Sequence, residues 1–137
     1  KGDELGLAYR TSAYEHNGFI ITTLVMKLKK GDKSEIKARM QELLQRRKDK
    51  QPLEFPSAGS TFKRPVGYFA GGLIEECGLK GFSVGGAQVS EKHAGFIINK
   101  GGATAQDVLD LIKYVQDRVY EEKGIHLEPE VRLITVG

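Results

Sequence analysis

The stretch Pro56-Ser57-Ala58-Gly59-Ser60-Thr61-Phe62-Lys63-Arg64-Pro65 sets hydroxyls, a glycine and two cations between prolines. The prolines stiffen its ends, while Ala58 and Gly59 let the backbone come close to another group. A serine held this way, with Lys63 and Arg64 nearby, can present its hydroxyl to an anionic ligand. A glycine-serine turn packed inside the protein has the same composition, so both readings stand. Glu130 follows Pro129 in GIHLEPEVRLI, at the entry to an apolar run, where a carboxylate is either solvated or functional. Arg10, in AYRTS, is either a surface cation or a planar fork for a carboxylate. His93, in SEKHAG, can titrate near neutral pH or cap a turn. With His16 and His126 in loop-like segments, no Ser-His-Asp order emerges.

Several chemistries are excluded. No Cys/His spacing suits a metal. GFSVGGA, residues 81–87, lacks the G-x-G-x-x-G spacing that follows a strand and opens a helix, and no phosphate-binding P-loop occurs, so a nucleotide cofactor would be held mostly elsewhere. The single cysteine, Cys77, shares an apolar helical side with Leu73 and Ile74 and reads as an inert thiol. With no disulfide framework and no signal peptide, the expected compartment is a reducing cytosol.

The elements that must position these residues are those of one domain, since 137 residues support a single sizeable core. At 39% hydrophobic and 28% charged, the composition is that of a globular protein. No apolar run approaches the roughly 20 residues that span a bilayer. The net charge of +3 raises a nucleic-acid reading, but Arg46, Arg47, Lys48 and Lys50 fall at a helix end, where cations suit the dipole. The six Phe and five Tyr lie mostly within apolar patterns, without the basic-aromatic interleaving of a strand-binding groove.

Residues 19–28 (FIITTLVMKL) are rich in β-branched side chains and predict a strand, ended by a turn at residues 29–32. Ser34 is the expected cap of a helix with Ile36, Met40, Leu43 and Leu44 on one face, ending before Pro52. After the proline-bounded loop, residues 68–77 predict a short helix closed by Gly78. Strands are expected at 82–89 and 95–99. From Thr104, TAQD resembles a capping box, and Val108, Leu111, Ile112, Val115 and Val119 mark the apolar face of a long helix up to Gly124. A final strand is expected over 131–136. The order β-α-loop-α-β-β-α-β predicts an α+β domain with helices packed on a mainly antiparallel sheet.

Taken in order, LAYRTS, QPLEFPSAGSTFKRP, GLKGFSVGGAQVSEKHAGFIIN, ATAQDV and LEPEVRLI resemble the carboxy-terminal part of bacterial UDP-N-acetylenolpyruvoylglucosamine reductase, also called UDP-N-acetylmuramate dehydrogenase. The resemblance spans nearly the whole chain. It implies a flavoprotein of peptidoglycan synthesis, in which NADPH reduces FAD and the flavin passes hydride to the enolpyruvyl group of UDP-N-acetylglucosamine enolpyruvate. Residues 1–28 would be a remnant of the FAD-binding region and 29–137 the substrate-binding carboxy-terminal domain. The resemblance also implies that FAD is held mainly by amino-terminal domains outside this sequence, and the chain, starting at Lys1, reads as a piece of a longer polypeptide. By itself the piece would be inactive.

By position, the resemblance makes Ser60 the acid that protonates C2 after hydride reaches C3. Glu130 and Arg10 would stabilise the enolic intermediate between those steps. Lys50 and Arg64 would contact substrate, Arg64 standing where other members have an asparagine, and Lys63 would support the serine. The inserted segment whose tyrosine covers substrate in another branch is missing, which implies the compact branch. Two rivals remain, a non-catalytic binding module of the same fold and a basic nucleic-acid-binding domain. The reductase reading requires Ser60 and Glu130 to share a cleft, with side chains roughly 10 Å apart or less.

Overall fold

The structure is a computed structural model that describes residues 2–15 and 17–134; Lys1, His16 and residues 135–137 lie outside the described residues. The chain divides into two compact units, Lys1–Glu35 and Ile36–Gly137.

The first unit opens with a 3-10 turn, Gly2–Leu5, followed by a tight turn in which Ala8 and Thr11 exchange backbone hydrogen bonds of 3.1 and 3.3 Å. The strand expected at 19–28 does not form. Ile20, Val25 and Leu28 are each at least 80% exposed, and the segment joins no ladder. Strand propensity expresses fit to a half-buried pleated surface, and among the described residues nothing pairs with this run.

Helix α1 (Lys33–Lys50) follows. Its cap is Asp32 rather than Ser34: the Asp32 carboxylate accepts from the backbone N–H of Ser34 at 2.9 Å and of Glu35 at 3.0 Å. None of its residues is buried.

The rest of the second unit is an α+β domain, as the pattern of elements implies. The proline-bounded segment is not a loop, because Ser57–Ser60 forms strand β1. Helix α2 (Ala70–Glu76) is shorter than the pattern suggested and starts two residues later. The run expected as one strand at 82–89 is a hairpin, β2 (Ser83–Val84) and β3 (Ala87–Val89), turning at Gly85-Gly86. Strand β4 (Phe96–Asn99) and helix α3 (Ala105–Lys123) complete it. The sheet is wholly antiparallel, in the order β1-β4-β3-β2. No strand forms over 131–134, and residues 135 and 136 of that expected strand lie outside the described residues. Among the described residues, no helix is long and apolar enough to cross a membrane.

The core lies where α2 and α3 cover the sheet. Ile74 from α2, Val89 from β3, and Leu111, Val115 and Val119 from α3 are fully buried. The Phe82 and Tyr114 rings stack at 4.2 Å, fastening the hairpin to α3. The start of α3 is fixed by the capping box read from TAQD. Thr104 Oγ1 accepts from Asp107 N at 3.1 Å, and the Asp107 carboxylate accepts from Thr104 N at 2.9 Å and from Gly86 N at 3.4 Å.

Gly86 has no room for a side chain, since a Cβ there would stand 2.4 Å from both Ala103 N and Gly101 O. Gly86→Ala should therefore destabilise the domain by roughly 1–3 kcal/mol. Gly72→Ala, on a helical residue whose Cβ would meet only Phe69 Cβ at 3.9 Å, should stabilise it by about 0.5–1 kcal/mol. Urea unfolding checks both, and equal effects of the same sign would contradict the packing described. The N–H donors of Thr104 and then Gly86 hold the Asp107 carboxyl below its ordinary range. A depressed folded value means stability that is present above the unfolded pKa, near 4, and lost as pH falls through the folded one. The gap in urea midpoint between wild type and Asp107→Asn should thus be full at neutral pH and narrow below about pH 4. A gap that does not vary with pH would count against it.

Candidate functional site

Ser60 ends β1, and its placement follows from an irregularity just before it. Ser57 is opposite Ile98 and Ser60 is opposite Phe96, so three steps on β1 match two on β4. That is a bulge, and Gly59 occupies it with φ +90°, a conformation that side chains disfavour. Such an insertion re-aims the residues that follow. Ser60 is exposed, and its hydroxyl donates to Phe62 O at 3.3 Å.

Beyond Ser60 the chain pairs a second time. Lys63 N donates to Glu128 O and Glu130 N to Thr61 O, both at 2.8 Å, with Phe62 and Pro129 facing each other between them. Residues 61–63 and 128–130 are thus a short antiparallel ribbon. Residue 129 occupies a position where the ladder needs no N–H, so proline fits. The ribbon carries Glu130 to the residue next to Ser60. Glu130 is half-buried, and its Oε2 is shut off from solvent.

Thr61 joins this ribbon to the sheet. It is 3% exposed; its N–H donates to Gly95 O at 2.8 Å, its carbonyl accepts from Glu130, and its Oγ1 accepts from Ile97 N at 3.1 Å. From the other side, Gln116 on α3 donates through Nε2 to Leu127 O at 2.7 Å, anchoring the return of the chain toward Glu130.

Lys63 faces Glu128 across the ribbon, and their side chains form an ion pair. Both are too exposed for the pair to contribute more than about 1 kcal/mol, but it gives the ammonium a fixed partner. Arg64, the next residue, donates from Nε to Tyr68 O at 3.3 Å and lays its guanidinium over Phe69, 4.0 Å from the ring centroid. Lys50 is the last residue of α1 and exposed. Arg10 belongs to the first unit, where it takes a positive φ of 56° and stands 5.5 Å from the Tyr9 ring centroid, with Nε donating to Tyr9 OH at 3.3 Å. Backbone pairing therefore brings Lys63 and Glu130 into one ribbon that begins directly after Ser60, and leaves Arg64 alongside in sequence. His93 is committed locally: its Nδ1 accepts from Gly95 N at 3.1 Å.

Thr61, Glu128 and Gln116 were not singled out from the sequence. Two of them left a signal. Gln116 is a polar residue four positions after Ile112 on the otherwise apolar stripe of α3, and Glu128 precedes Glu130 by the two residues that share a strand face.

Alongside β1 lies a groove of about 370 Å³, lined mainly by Pro56, Ala58, Ile97, Ile98, Val108 and Val131, with Thr61 and Asn99 among its few polar groups. It contains no cation to meet a diphosphate. Among the described residues, no group of three or more His, Cys, Asp or Glu is arranged to hold a metal.

Comparison with known proteins adds the following. A family profile described as UDP-N-acetylenolpyruvoylglucosamine reductase, C-terminal domain, matches residues 51–134. The chain is 58% identical over 130 residues to the protein of that name from Clostridium beijerinckii, covering 95% of this chain and 43% of the relative. It is 58% identical over 132 residues to that from Lachnoclostridium phytofermentans, with 96% and 43% covered. The crystal structure of UDP-N-acetylenolpyruvylglucosamine reductase from Thermus caldophilus superposes with a TM-score of 0.75 at 45% identity, covering 93% of this chain and 46% of that one. The chain thus spans less than half the length of these relatives.

Thr61→Val keeps the shape and leaves the buried Ile97 N–H without its acceptor. A loss of about 1–3 kcal/mol in urea unfolding is expected. Unchanged stability would remove Thr61 from its place as the junction.

Proposed function

The chain belongs to the UDP-N-acetylenolpyruvoylglucosamine reductase family, and from that premise we propose that it is the substrate-binding part of a cytoplasmic, FAD- and NADPH-dependent reductase of peptidoglycan synthesis. The substrate would be UDP-N-acetylglucosamine enolpyruvate and the product UDP-N-acetylmuramate. The observation that carries this reading is the ribbon, which sets Glu130 beside the end of β1 where Ser60 stands.

The groove beside β1 does not fit a flavin dinucleotide, because it is mainly apolar and no cation lines it to meet a diphosphate. We assign FAD to the amino-terminal domains that the relatives' greater length leaves room for, where it would supply the hydride. The work of this chain is then to hold the enolpyruvyl group and manage its charge and proton. Hydride addition at C3 drives negative charge onto the conjugated carboxylate. A cation, Arg10, and the Glu130 side chain would stabilise that charge where it develops. Ser60 gives its proton to C2, which is basic enough to take it from a well-oriented hydroxyl. Lys50 and Arg64 would bind the substrate's anionic portion, the guanidinium offering a fork where an ammonium offers a point charge. Lys63, tied to Glu128, would keep positive charge near the serine.

Ser60→Ala in the complete enzyme should lower kcat by about 10²–10⁴-fold with KM little changed, because the hydroxyl acts in a proton transfer rather than in binding. Steady-state NADPH consumption with the sugar substrate measures this, and a kcat within twofold of wild type would remove Ser60 from its role. Residues 1–137 alone should purify without stoichiometric flavin, which absorbance in the flavin bands would reveal.

A further inference from the structure

Helix α1 carries an apolar stripe that stays exposed among the described residues. Ile36, Met40, Leu43 and Leu44 recur at the spacing that aligns one helix face, yet they are 49%, 66%, 48% and 51% exposed. Met40, Leu43 and Leu44, with Lys37, Gln41 and Arg47, border an open trough of about 530 Å³. In proteins most of a helix's stability comes from packing its apolar face, so such a stripe calls for a cover.

The charges around the stripe say what kind of cover. At 3.6 residues per turn, Glu35, Glu42 and Asp49 share one ridge at the back of the helix, away from the stripe. Arg39, Arg46 and Lys50 lie along one margin of the stripe, and Lys37 and Lys48 along the other. The first margin is partly neutralised, since Glu42 pairs with Arg39 at 2.6 Å and with Arg46 at 2.5 Å. Among the described residues, Lys37 and Lys48 make no ion pair. A second copy is a poor occupant. Packed antiparallel, two such helices set lysine margin against lysine margin, and packed parallel, lysine against arginine. A lipid surface is a poor one too, because the stripe is four aliphatic side chains with Arg47 among them and no aromatic ring.

More than half the length of the relatives lies outside the part that this chain matches, so a longer polypeptide has ample chain to supply the cover. We propose that the apolar face of α1 is the seat of the flavin-carrying half of the same enzyme, which meets it with an apolar surface edged by carboxylates on the lysine side. This rests on the reductase reading for the identity of that half. The helix then joins the domain that holds the substrate to the one that holds the hydride donor, and its last residue, Lys50, belongs to the proposed substrate site.

Hydrogen exchange tests it, comparing the complete polypeptide with residues 1–137 at equal concentration. Backbone amides of residues 36–47 should exchange at least roughly tenfold more slowly in the complete polypeptide. Met40→Glu with Leu43→Glu should abolish that difference while leaving the melting of the α2–α3 core unchanged, because α1 contributes nothing to that core. Equal exchange in both proteins overturns the proposal. So does protection in residues 1–137 alone that grows with their concentration, which identifies a second copy, or protection that requires anionic phospholipid vesicles, which identifies a membrane. Turnover of the enolpyruvyl sugar, measured separately on the complete enzyme, decides the reductase reading whatever the exchange result.

Discussion

One buried residue, Thr61, holds the candidate site together. Its N–H, its carbonyl and its hydroxyl oxygen each take a different partner: Gly95, Glu130 and Ile97. Those partners lie in the turn before β4, in the carboxy-terminal segment and in β4 itself. The end of β1 is thus locked to the sheet on one side and to Glu130 on the other. In a buried setting each of these groups would cost about 1–3 kcal/mol if left unpaired, so the three bonds favour one arrangement over any slipped register. The position of Ser60 relative to Glu130 follows from that arrangement, with the bulge at Gly59 supplying the extra residue that ends the strand there.

What the sequence disclosed, and what it hid, divides along sequence separation. The capping box and apolar face of α3 were readable because a helix is specified within a few turns of chain. The α+β class was readable because the element types alternate. β1 was not, since SAGS has no β-branched residue and becomes a strand only by pairing with β4 about forty positions later. The opposite error at residues 19–28 has the same cause: every local preference favours a strand, and no partner exists among the described residues. Ser34 was expected as the cap because hydroxyls are good caps, but Asp32, two residues earlier, reaches both N–H groups.

The candidate site was legible as a set of residue types and illegible as geometry. Ser60 and Glu130 attracted notice through their motifs, and roles for them came from a family resemblance. Their adjacency depends on the pairing of residues 61–63 with 128–130, and nothing local encodes that pairing. Lys63 was readable as a cation, whereas its engagement by Glu128 required the ribbon's register. Arg10 lies in the separate first unit, in a strained turn, so its sequence motif carries its candidacy and its geometry concerns only that unit.

The proposed function turns on Ser60, just before the ribbon, and Glu130, within it, presenting a hydroxyl and a carboxyl group to one reacting group. The most direct measurement is a crystal structure of the complete enzyme with UDP-N-acetylglucosamine enolpyruvate bound. The account predicts Ser60 Oγ and a Glu130 carboxyl oxygen both within about 3.5 Å of the enolpyruvyl moiety, on opposite sides of it, with the 61–63 and 128–130 pairing retained. A substrate whose enolpyruvyl group touches neither residue, or only one of them, would contradict it.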